Sequence, residues 1–543
     1  MSGKDVFVLA DSLAARIRTG IGFGDSVDLR RITDVSSTSI AAYRLYTRGL
    51  DASVNLRWQE SAKFLEQAVV IDPSFAEAHL RLAAAYGGVG QMAARDQALR
   101  RAFAQADKLS ERHRLLLAVR LESDTAQKAQ LLDTLLTRFP DVEEAYPLAS
   151  MLYDPDVGPL PNLEKLLAIA RAGVMVLPAS AQTRNAYGYA LLETGRFAEA
   201  AREFEEYARL APLEPNPFDS LGDAYLLLGE PAKAVELYSR AIAIDRGWST
   251  NGLAYALGML GRYREAIAAE PSFPQVKAIV MSRAGCYSDA ERLIRSGIAT
   301  AHANENALLV AGLHVMSASL ALERKDFASV LRQATAAREP LSSTPVGFAQ
   351  NMSFIADTLA GLAELGLGRI GRAQALADTQ ARTLRASNSV DRFWHGILKG
   401  ELALARGDST AATRAFSAGE LPKRVVSWER DPGAVLTNNL ILRDGPARAA
   451  HARGDTADAI HKYRQLLANG PELKWVSLYE PRYVLQLARL LDAAGDRQAA
   501  RIEYGRFLQL WKDADANLPE LAEARRAVAA RITMNEVAAV SER

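Results

Sequence analysis

Cysteine is the scarcest residue of this 543-residue chain, since Cys286 is the only one. A single thiol excludes an internal disulfide framework and a structural zinc site built on two or more thiolates, and it fits a reducing, cytoplasmic setting. Histidine is also rare. The seven histidines never lie three or four positions apart, the spacing that places two metal ligands on one face of a helix. The sequence therefore predicts neither a metal site nor a cofactor.

The chain also lacks an excess of charge of either sign and long apolar runs. Lys plus Arg number 65 against 64 for Asp plus Glu, a net charge of +1, so the sequence does not predict nucleic-acid binding. The most apolar long run, residues 307–322, contains three polar residues and is shorter than the ~20 residues that span a bilayer. Asp11 and Arg16 interrupt the apolar segment near the N-terminus, which argues against a signal peptide. We expect a soluble protein without membrane insertion.

The sequence does contain an internal repeat of 34 residues, in a chain whose 49% apolar content predicts a folded protein. Residue classes at positions 187–207 return 34 positions later: Tyr187, Gly188, Leu191, Gly195, Phe197, Ala200 and Phe204 are followed by Leu221, Gly222, Tyr225, Gly229, Pro231, Ala234 and Tyr238. Looser copies centre on Gly261, Gly285, Phe327, Gly368, Gly407, Gly454 and Gly495, and earlier copies begin near residue 42. The chain holds about thirteen such units.

Each unit has the features of a helical hairpin. Small residues at its eighth and twentieth positions allow two antiparallel helices to approach closely, and glycine near the fifteenth position turns the chain between them. Proline near the thirty-second position, as at Pro73, Pro140, Pro212 and Pro471, ends the second helix. One hairpin cannot bury both of its faces, so neighbouring hairpins are expected to stack into a solenoid.

This pattern resembles the tetratricopeptide repeat (TPR) over roughly residues 42–520. The resemblance implies an all-α, right-handed superhelical solenoid of about thirteen antiparallel hairpins. We predict an N-terminal helix and linker in residues 1–41, an N-terminal array in 42–270, a divergent C-terminal array in 271–520, and a C-terminal helix or tail in 521–543. Pro271 and Pro274 are expected to shorten the second helix of the unit at Gly261.

The residues before the array show a second resemblance. Residues 7–11 and 38–43, leading into Gly49 and Trp58, look like the junction between a signalling module and the TPR tail of bacterial serine/threonine kinases and cyclase-like regulators. The sequence itself contains no kinase catalytic loop, phosphate-binding Gly-Lys-Ser/Thr loop or Gly-x-Ser-x-Gly elbow. A glycine pattern at 366–371 formally matches a nucleotide loop, but Gly368 occupies the ordinary turn position of the repeat.

In TPR proteins the first helix of each unit lines a concave groove with its second, fifth, ninth and twelfth positions. The resemblance therefore implies a polar and aromatic stripe suited to an extended peptide, formed by Asn185, Tyr189, Asn216, Asp219, Asp223, Trp248, Asn251 and Tyr255. Nearer the C-terminus the equivalent positions hold Arg448, Arg482 and Arg489, which would suit an acidic or C-terminal carboxylate ligand. The alternative for both sets is an ordinary solvated helix face.

These observations favour a non-enzymatic scaffold that binds a protein or peptide partner in its concave groove. The alternative is a regulatory sensor tail that controls a separate kinase, cyclase or transcription factor. An enzyme is the least favoured hypothesis, because it depends on Asp219 and Asp223 as a carboxylate pair one helical turn apart, without a nucleophile or metal motif.

Overall fold

The computed structural model describes residues 37–54, 57–89, 91–153, 159–343, 346–385, 388–418, 435–436, 441–468 and 477–530. Most of the 1–41 segment, Pro471 and most of the 521–543 tail lie outside these ranges. Within them the structure contains 27 α-helices, three short 3-10 helices and no strand, which confirms the predicted all-α class. The helices pack in consecutive pairs and correspond to thirteen hairpins plus one last helix.

The chain divides into two compact units between Ser220 and Leu221. Unit 1 ends at Ser220 and unit 2 begins at Leu221; the predicted array boundary at residue 270 stays a prediction. The helices of unit 1 are α1 Ile40–Val54, α2 Trp58–Ile71, α3 Ala76–Gly88, α4 Met92–Phe103, α5 Glu111–Leu121, α6 Thr125–Arg138, α7 Ala145–Tyr153, α8 Leu163–Val176, α9 Ala181–Glu193 and α10 Phe197–Leu210.

Helix α11, Asn216–Leu227, contains the division between the units. The helices that follow in unit 2 are α12 Pro231–Ile244, α13 Thr250–Met259, α14 Tyr263–Ala268, α15 Pro274–Arg283, α16 Tyr287–Ala303, α17 Ala307–Glu323, α18 Phe327–Ala336, α19 Val346–Gly366, α20 Ile370–Thr383, α21 Ser389–Ala405, α22 Ser409–Ala418, α23 Gly445–Ala452, α24 Thr456–Leu467, α25 Pro481–Ala493, α26 Arg497–Leu510 and α27 Pro519–Ala529.

The predicted turn glycines adopt the left-handed backbone conformation that ends the first helix of a hairpin. Positive φ angles between 73° and 87° occur at Gly195, Gly229, Gly261, Gly285, Gly368, Gly407, Gly454 and Gly495. Lys325, with φ 60°, takes the equivalent place between α17 and α18. A side chain is strained in this conformation, which explains why glycine recurs at this position of the repeat.

Small residues bring paired helices together as predicted. A Cβ atom on Gly188 would lie 2.3 Å from the ring of Phe204, and one on Gly222 would lie 2.6 Å from the ring of Tyr238. The rings therefore occupy space that a larger residue on the facing helix would fill.

Prolines end helices where the sequence predicts it. Helices α2, α6 and α10 end at Ile71, Arg138 and Leu210, each just before a proline. Helix α14 has only six residues, and Pro274 begins α15, which confirms the shortened hairpin.

Unit 2 has contacts that the repeat pattern does not predict. Residues 258–288 meet residues 478–515, across sequence separations of 197 to 249 positions. The Tyr479 backbone N–H donates to the Gly258 carbonyl at 3.1 Å, and the Tyr263 hydroxyl donates to the Tyr479 carbonyl at 2.6 Å. Trp511 Nε1 donates to the Arg283 carbonyl at 2.9 Å. Unit 2 is therefore an array whose last hairpin packs back on its early hairpins, and we call these contacts the closure of unit 2.

A buried charge cluster lies at this closure. Arg283 is 1% exposed and pairs with Glu323 at 2.8 Å and with Glu480 at 2.5 Å. The Tyr287 hydroxyl donates to Glu323 at 2.8 Å. Burial opposes the charge of Arg283, but the two carboxylates outweigh it and raise the pKa of Arg283 above its ordinary value. Burial also raises the pKa of Glu480. Removing one charged group of the cluster would leave its partner buried and unpaired, which is strongly destabilising.

Candidate functional site

Unit 1 contains a groove of about 1230 Å³. It is lined mainly by the first helices of successive hairpins, with Tyr46 on α1, Ala84 on α3, Arg120 on α5 and Met151 on α7. Helices α4 and α6 add Leu99 and Lys128, among other residues. We call this cavity the unit 1 groove. Its size is sufficient for several side chains of an extended ligand.

Part of the groove lining is apolar. Leu50, Trp58, Leu99, Leu132 and Leu152 all line it. Met151, which is 64% exposed, adds a flexible apolar side chain at its surface. Methionine adapts to irregular partner surfaces, so this part of the groove suits apolar ligand side chains.

A hydrogen-bonded polar network forms another part of the lining. The Tyr46 hydroxyl donates to Glu77 at 2.6 Å, and His113 Nε2 lies 3.5 Å from the same carboxylate. Arg81 pairs with Glu144 and lies 3.4 Å from His113 Nε2. Burial lowers the pKa of His113 to about 4, so the imidazole is neutral at pH 7. Burial, followed by the Glu77 charge, raises the pKa of Tyr46. The network presents fixed polar groups without a charged histidine.

Arg120 stands apart from this network. Among the described residues, no carboxylate lies within ion-pair distance of its guanidinium, and its buried Nε atom has no hydrogen-bond partner. Burial lowers the pKa of Arg120 to about 10, and the cations Arg81 and Arg95 act in the same direction. The side chain therefore remains protonated at pH 7 and brings an uncompensated positive charge to the groove.

Four of the predicted ligand residues belong to unit 1, and the structure places them outside the residues that line the groove. Asn185 and Tyr189 both meet the hydroxyl of Ser220, at 3.2 Å each. Asn216 donates to the Tyr207 hydroxyl at 3.0 Å. Asp219 is half-buried. Gln182, at another predicted groove position of α9, does line the groove.

Four predicted ligand residues of unit 2 lie in the hairpins around α13. Asp223 accepts a hydrogen bond from Tyr238 at 2.7 Å, and Trp248 is half-buried.

The other two, Asn251 and Tyr255, require a correction. Asn251 is 7% exposed and is used within the unit, donating to Ser272 at 2.8 Å and accepting from the Phe273 N–H at 3.0 Å. Tyr255 is fully buried, so it is a packing residue and not a ligand contact. The closure meets α13 one turn further along, where the Tyr479 N–H donates to the Gly258 carbonyl.

The three predicted arginines of unit 2 all have intramolecular carboxylate partners. Arg448 pairs with Glu401 and, at 2.8 Å, with Asp444. Arg489 pairs with Glu523 at 2.5 Å.

Arg482 is the least exposed of the three side chains. Its side chain is 12% exposed, lies 3.2 Å from Glu323 and stacks on the Tyr287 and Trp511 rings. It stabilises the closure and offers little surface to an acidic ligand.

Sequence reasoning missed the groove residues of the first three units, although the signal was available. Tyr46 and His113 hold the fifth position of their units, Ala84 the ninth and Arg120 the twelfth. The same positions predict the stripe in the later copies, which match the repeat pattern more closely. The weaker copies of the repeat therefore line the unit 1 groove.

The described residues also bear on metal and thiol chemistry. The described residues include no group of three or more His, Cys, Asp or Glu arranged to hold a metal ion. Burial raises the pKa of the Cys286 thiol to about 11, with Asp515 acting in the same direction, so the thiol is protonated at pH 7. None of the described helices combines the length and the apolarity needed to cross a bilayer.

Comparison with known families identifies one repeat. A tetratricopeptide repeat model matches residues 218–247, which include most of α11 and all of α12. This match supports a TPR-type protein and, in general terms, a scaffold for protein–protein interaction. No match to the chain is found among curated proteins.

Proposed function

We propose that the chain is a non-enzymatic scaffold that binds an extended segment of a protein partner in the unit 1 groove. The observation that carries the proposal is the lining of this groove: the first helices of four successive hairpins contribute to it, with apolar side chains beside fixed polar ones. Extended peptides bind such surfaces through apolar anchors and hydrogen-bonding groups placed at regular intervals.

Site-specific photo-cross-linking tests the proposal. A benzophenone amino acid at Met151 would sit at the groove, whereas the same group at Met175 would sit on α8, outside the groove lining. Met175 is 74% exposed and belongs to the same unit, so it is a matched control. We expect a discrete partner to cross-link from position 151 and not from position 175 in lysate of the source cell.

A groove-filling variant supplies the second half of the test. Ala84 is a small residue of α3 that lines the groove, so Ala84→Trp should occupy the space and abolish the cross-link from position 151. Circular dichroism would verify that the helical content is unchanged. Equal cross-linking from both positions, or a cross-link that persists in Ala84→Trp, would rule out the groove as the binding site.

The proposal assigns no catalytic role to the carboxylate pair. Asp223 accepts a hydrogen bond from the Tyr238 hydroxyl within the α11/α12 hairpin, and this contact supports a role in packing. The regulatory-tail hypothesis stays a prediction, because residues 7–11 lie outside the described part of the chain. Identification of the cross-linked partner as a kinase or cyclase would favour it.

A further inference from the structure

We propose that Arg120 binds the carboxylate of an acidic side chain when a peptide segment occupies the unit 1 groove. This inference rests on the proposed function and adds the chemical class of the ligand: a segment with Glu or Asp among apolar residues.

The charge inventory of the groove supports an anionic ligand. Its five carboxylates all have partners within unit 1: Glu77 accepts from Tyr46, Asp96 pairs with Arg95, Asp141 pairs with Arg112, Glu143 accepts from Ser180, and Glu144 pairs with Arg81. Three of these carboxylates are matched by a cation, whereas Glu77 and Glu143 accept from neutral hydroxyls and keep their charge. The lining holds six cations, Arg81, Arg95, Arg100, Arg112, Arg120 and Lys128, against these five carboxylates, so its net charge is +1.

Three cations of the groove could meet an anionic ligand. Arg100, Arg120 and Lys128 line the groove, and none has a carboxylate partner among the described residues. Arg100 is exposed and Lys128 is half-buried on α6, so water solvates their charges at least in part. The Nε of Arg120 is buried and has no partner, which makes its guanidinium the cation with most to gain from an anion.

The surroundings of Arg120 favour a single carboxylate over a more highly charged group. Apolar residues such as Val119, Leu132 and Leu152 line the same groove. A guanidinium matches a carboxylate with two parallel hydrogen bonds. A phosphate dianion would need further cations close by, but Arg81 and Arg95 are already paired with Glu144 and Asp96.

Fluorescence anisotropy with defined peptides tests the inference. The probes are labelled twelve-residue peptides in which Leu alternates with Glu, with Gln or with phosphoserine. We expect the full chain to bind the Glu peptide at least tenfold more tightly than the Gln peptide. Because hydrogen bonds to charged groups are worth more than neutral ones, Arg120→Met should weaken the Glu peptide roughly tenfold to a hundredfold and leave the Gln peptide unchanged.

Two matched variants separate a lost site from a damaged fold. Arg138→Met removes an exposed arginine of unit 1 that pairs with Glu111 at 2.5 Å and does not line the groove, so it should leave both affinities unchanged. Arg120→Lys keeps the positive charge and should retain part of the preference for Glu. The melting temperature of Arg120→Met should match or exceed that of the wild type, because the substitution removes an uncompensated cation.

The outcomes distinguish failure of the inference from failure of the proposed function. If Ala84→Trp abolishes binding but the wild type binds the Glu and Gln peptides equally, the groove remains the binding site and the proposed role of Arg120 is overturned. A preference for the phosphoserine peptide over the Glu peptide would overturn the carboxylate assignment. If Ala84→Trp leaves the binding of every peptide unchanged, the groove itself is not the binding site.

Discussion

The turn glycine Gly195 shows how a single residue of the repeat meets a backbone demand. Its φ of 73° is left-handed, and a Cβ placed on it would meet nothing within 4 Å. Gly195→Ala should therefore lower the free energy of unfolding by about 1–2 kcal/mol through backbone strain alone.

A glycine in a right-handed helix provides the control for this prediction. Gly505 lies inside α26, and a Cβ on it would also meet open space. Gly505→Ala should raise stability by about 0.5–1 kcal/mol, because alanine is the better helix former. Urea denaturation of both variants checks the sign; a change of the same sign in both would contradict the explanation based on φ.

His113 should make unit 1 sensitive to acid. Burial holds the folded-state pKa at about 4, below the ordinary value of 6.5. As the pH falls, the unfolded chain takes up the proton first, so the stabilisation is complete above pH 6.5 and is lost as the pH falls through about 4. The loss amounts to roughly 3 kcal/mol.

Replacing the imidazole tests this prediction. His113→Gln should flatten the dependence of the unfolding free energy on pH between 6.5 and 4, measured by urea denaturation at several pH values. His451→Gln, at an exposed histidine, should preserve the wild-type slope. An unchanged slope in His113→Gln would assign the acid sensitivity to other groups.

Residue-scale features were predictable to the extent that they are local. The turn glycines follow from the conformation that one position of the hairpin needs, so the sequence identifies them without knowledge of distant contacts. Tyr255 lies at a predicted groove position of α13 and is fully buried, and no local pattern around that helix reveals this burial. The repeat pattern places Arg120 at a groove position. It does not show that Arg120 lacks a carboxylate partner among the described residues, because that depends on side chains of other helices.

Among the helices, the approach of α9 to α10 depends on one small residue. Gly188→Ala would place a Cβ 2.3 Å from the Phe204 ring and should destabilise unit 1 by about 1–3 kcal/mol through overpacking. Phe204→Leu should partly restore the stability lost, because the smaller side chain leaves room for the new methyl group.

A double-mutant cycle provides the measurement for this pair. Thermal or urea denaturation of the two single variants and the double variant should give a favourable coupling energy of at least about 0.5 kcal/mol. Additive effects would show that the two side chains do not compete for the same space.

Helix ends were predictable for the same reason as the turns. Proline removes a hydrogen-bond donor and ends a helix wherever it occurs, so the short α14 follows from Pro271 and Pro274. Pairing between consecutive helices also follows from the repeat. The repeat does not identify the residues that line a groove, because the lining depends on how several hairpins stack.

At the scale of the molecule, the closure of unit 2 should depend on Arg283. Arg283→Met leaves Glu480 and Glu323 buried with less compensation, which should cost about 3–5 kcal/mol. Hydrogen exchange read by mass spectrometry should show faster exchange in residues 258–288 and 478–515, while unit 1 keeps its protection.

An exposed ion pair across the same closure is the matched control. Arg264 pairs with Asp513 at 2.6 Å, but both side chains are largely in water. Arg264→Met should change the exchange little, because solvent screens such pairs. Similar effects of both variants would show that burial is not what makes Arg283 important.

The repeat pattern could not predict this closure. A TPR-like repeat specifies contacts between neighbouring hairpins, and each copy of the pattern is satisfied without any contact to a distant one. The contacts of Glu480 and Trp511 with Arg283 join residues that no periodicity relates. The same closure takes up Arg482, which the repeat pattern predicts as a ligand residue.

The closure also has a consequence for synthesis in the cell. Arg283 leaves the ribosome 197 residues before Glu480, its partner across the closure. At about 5–20 residues per second, roughly 10–40 s pass before the second carboxylate can reach it. During that interval α13–α16 lack the contacts that residues 478–515 finally make with them, so we expect nascent unit 2 to expose surface that the complete unit covers.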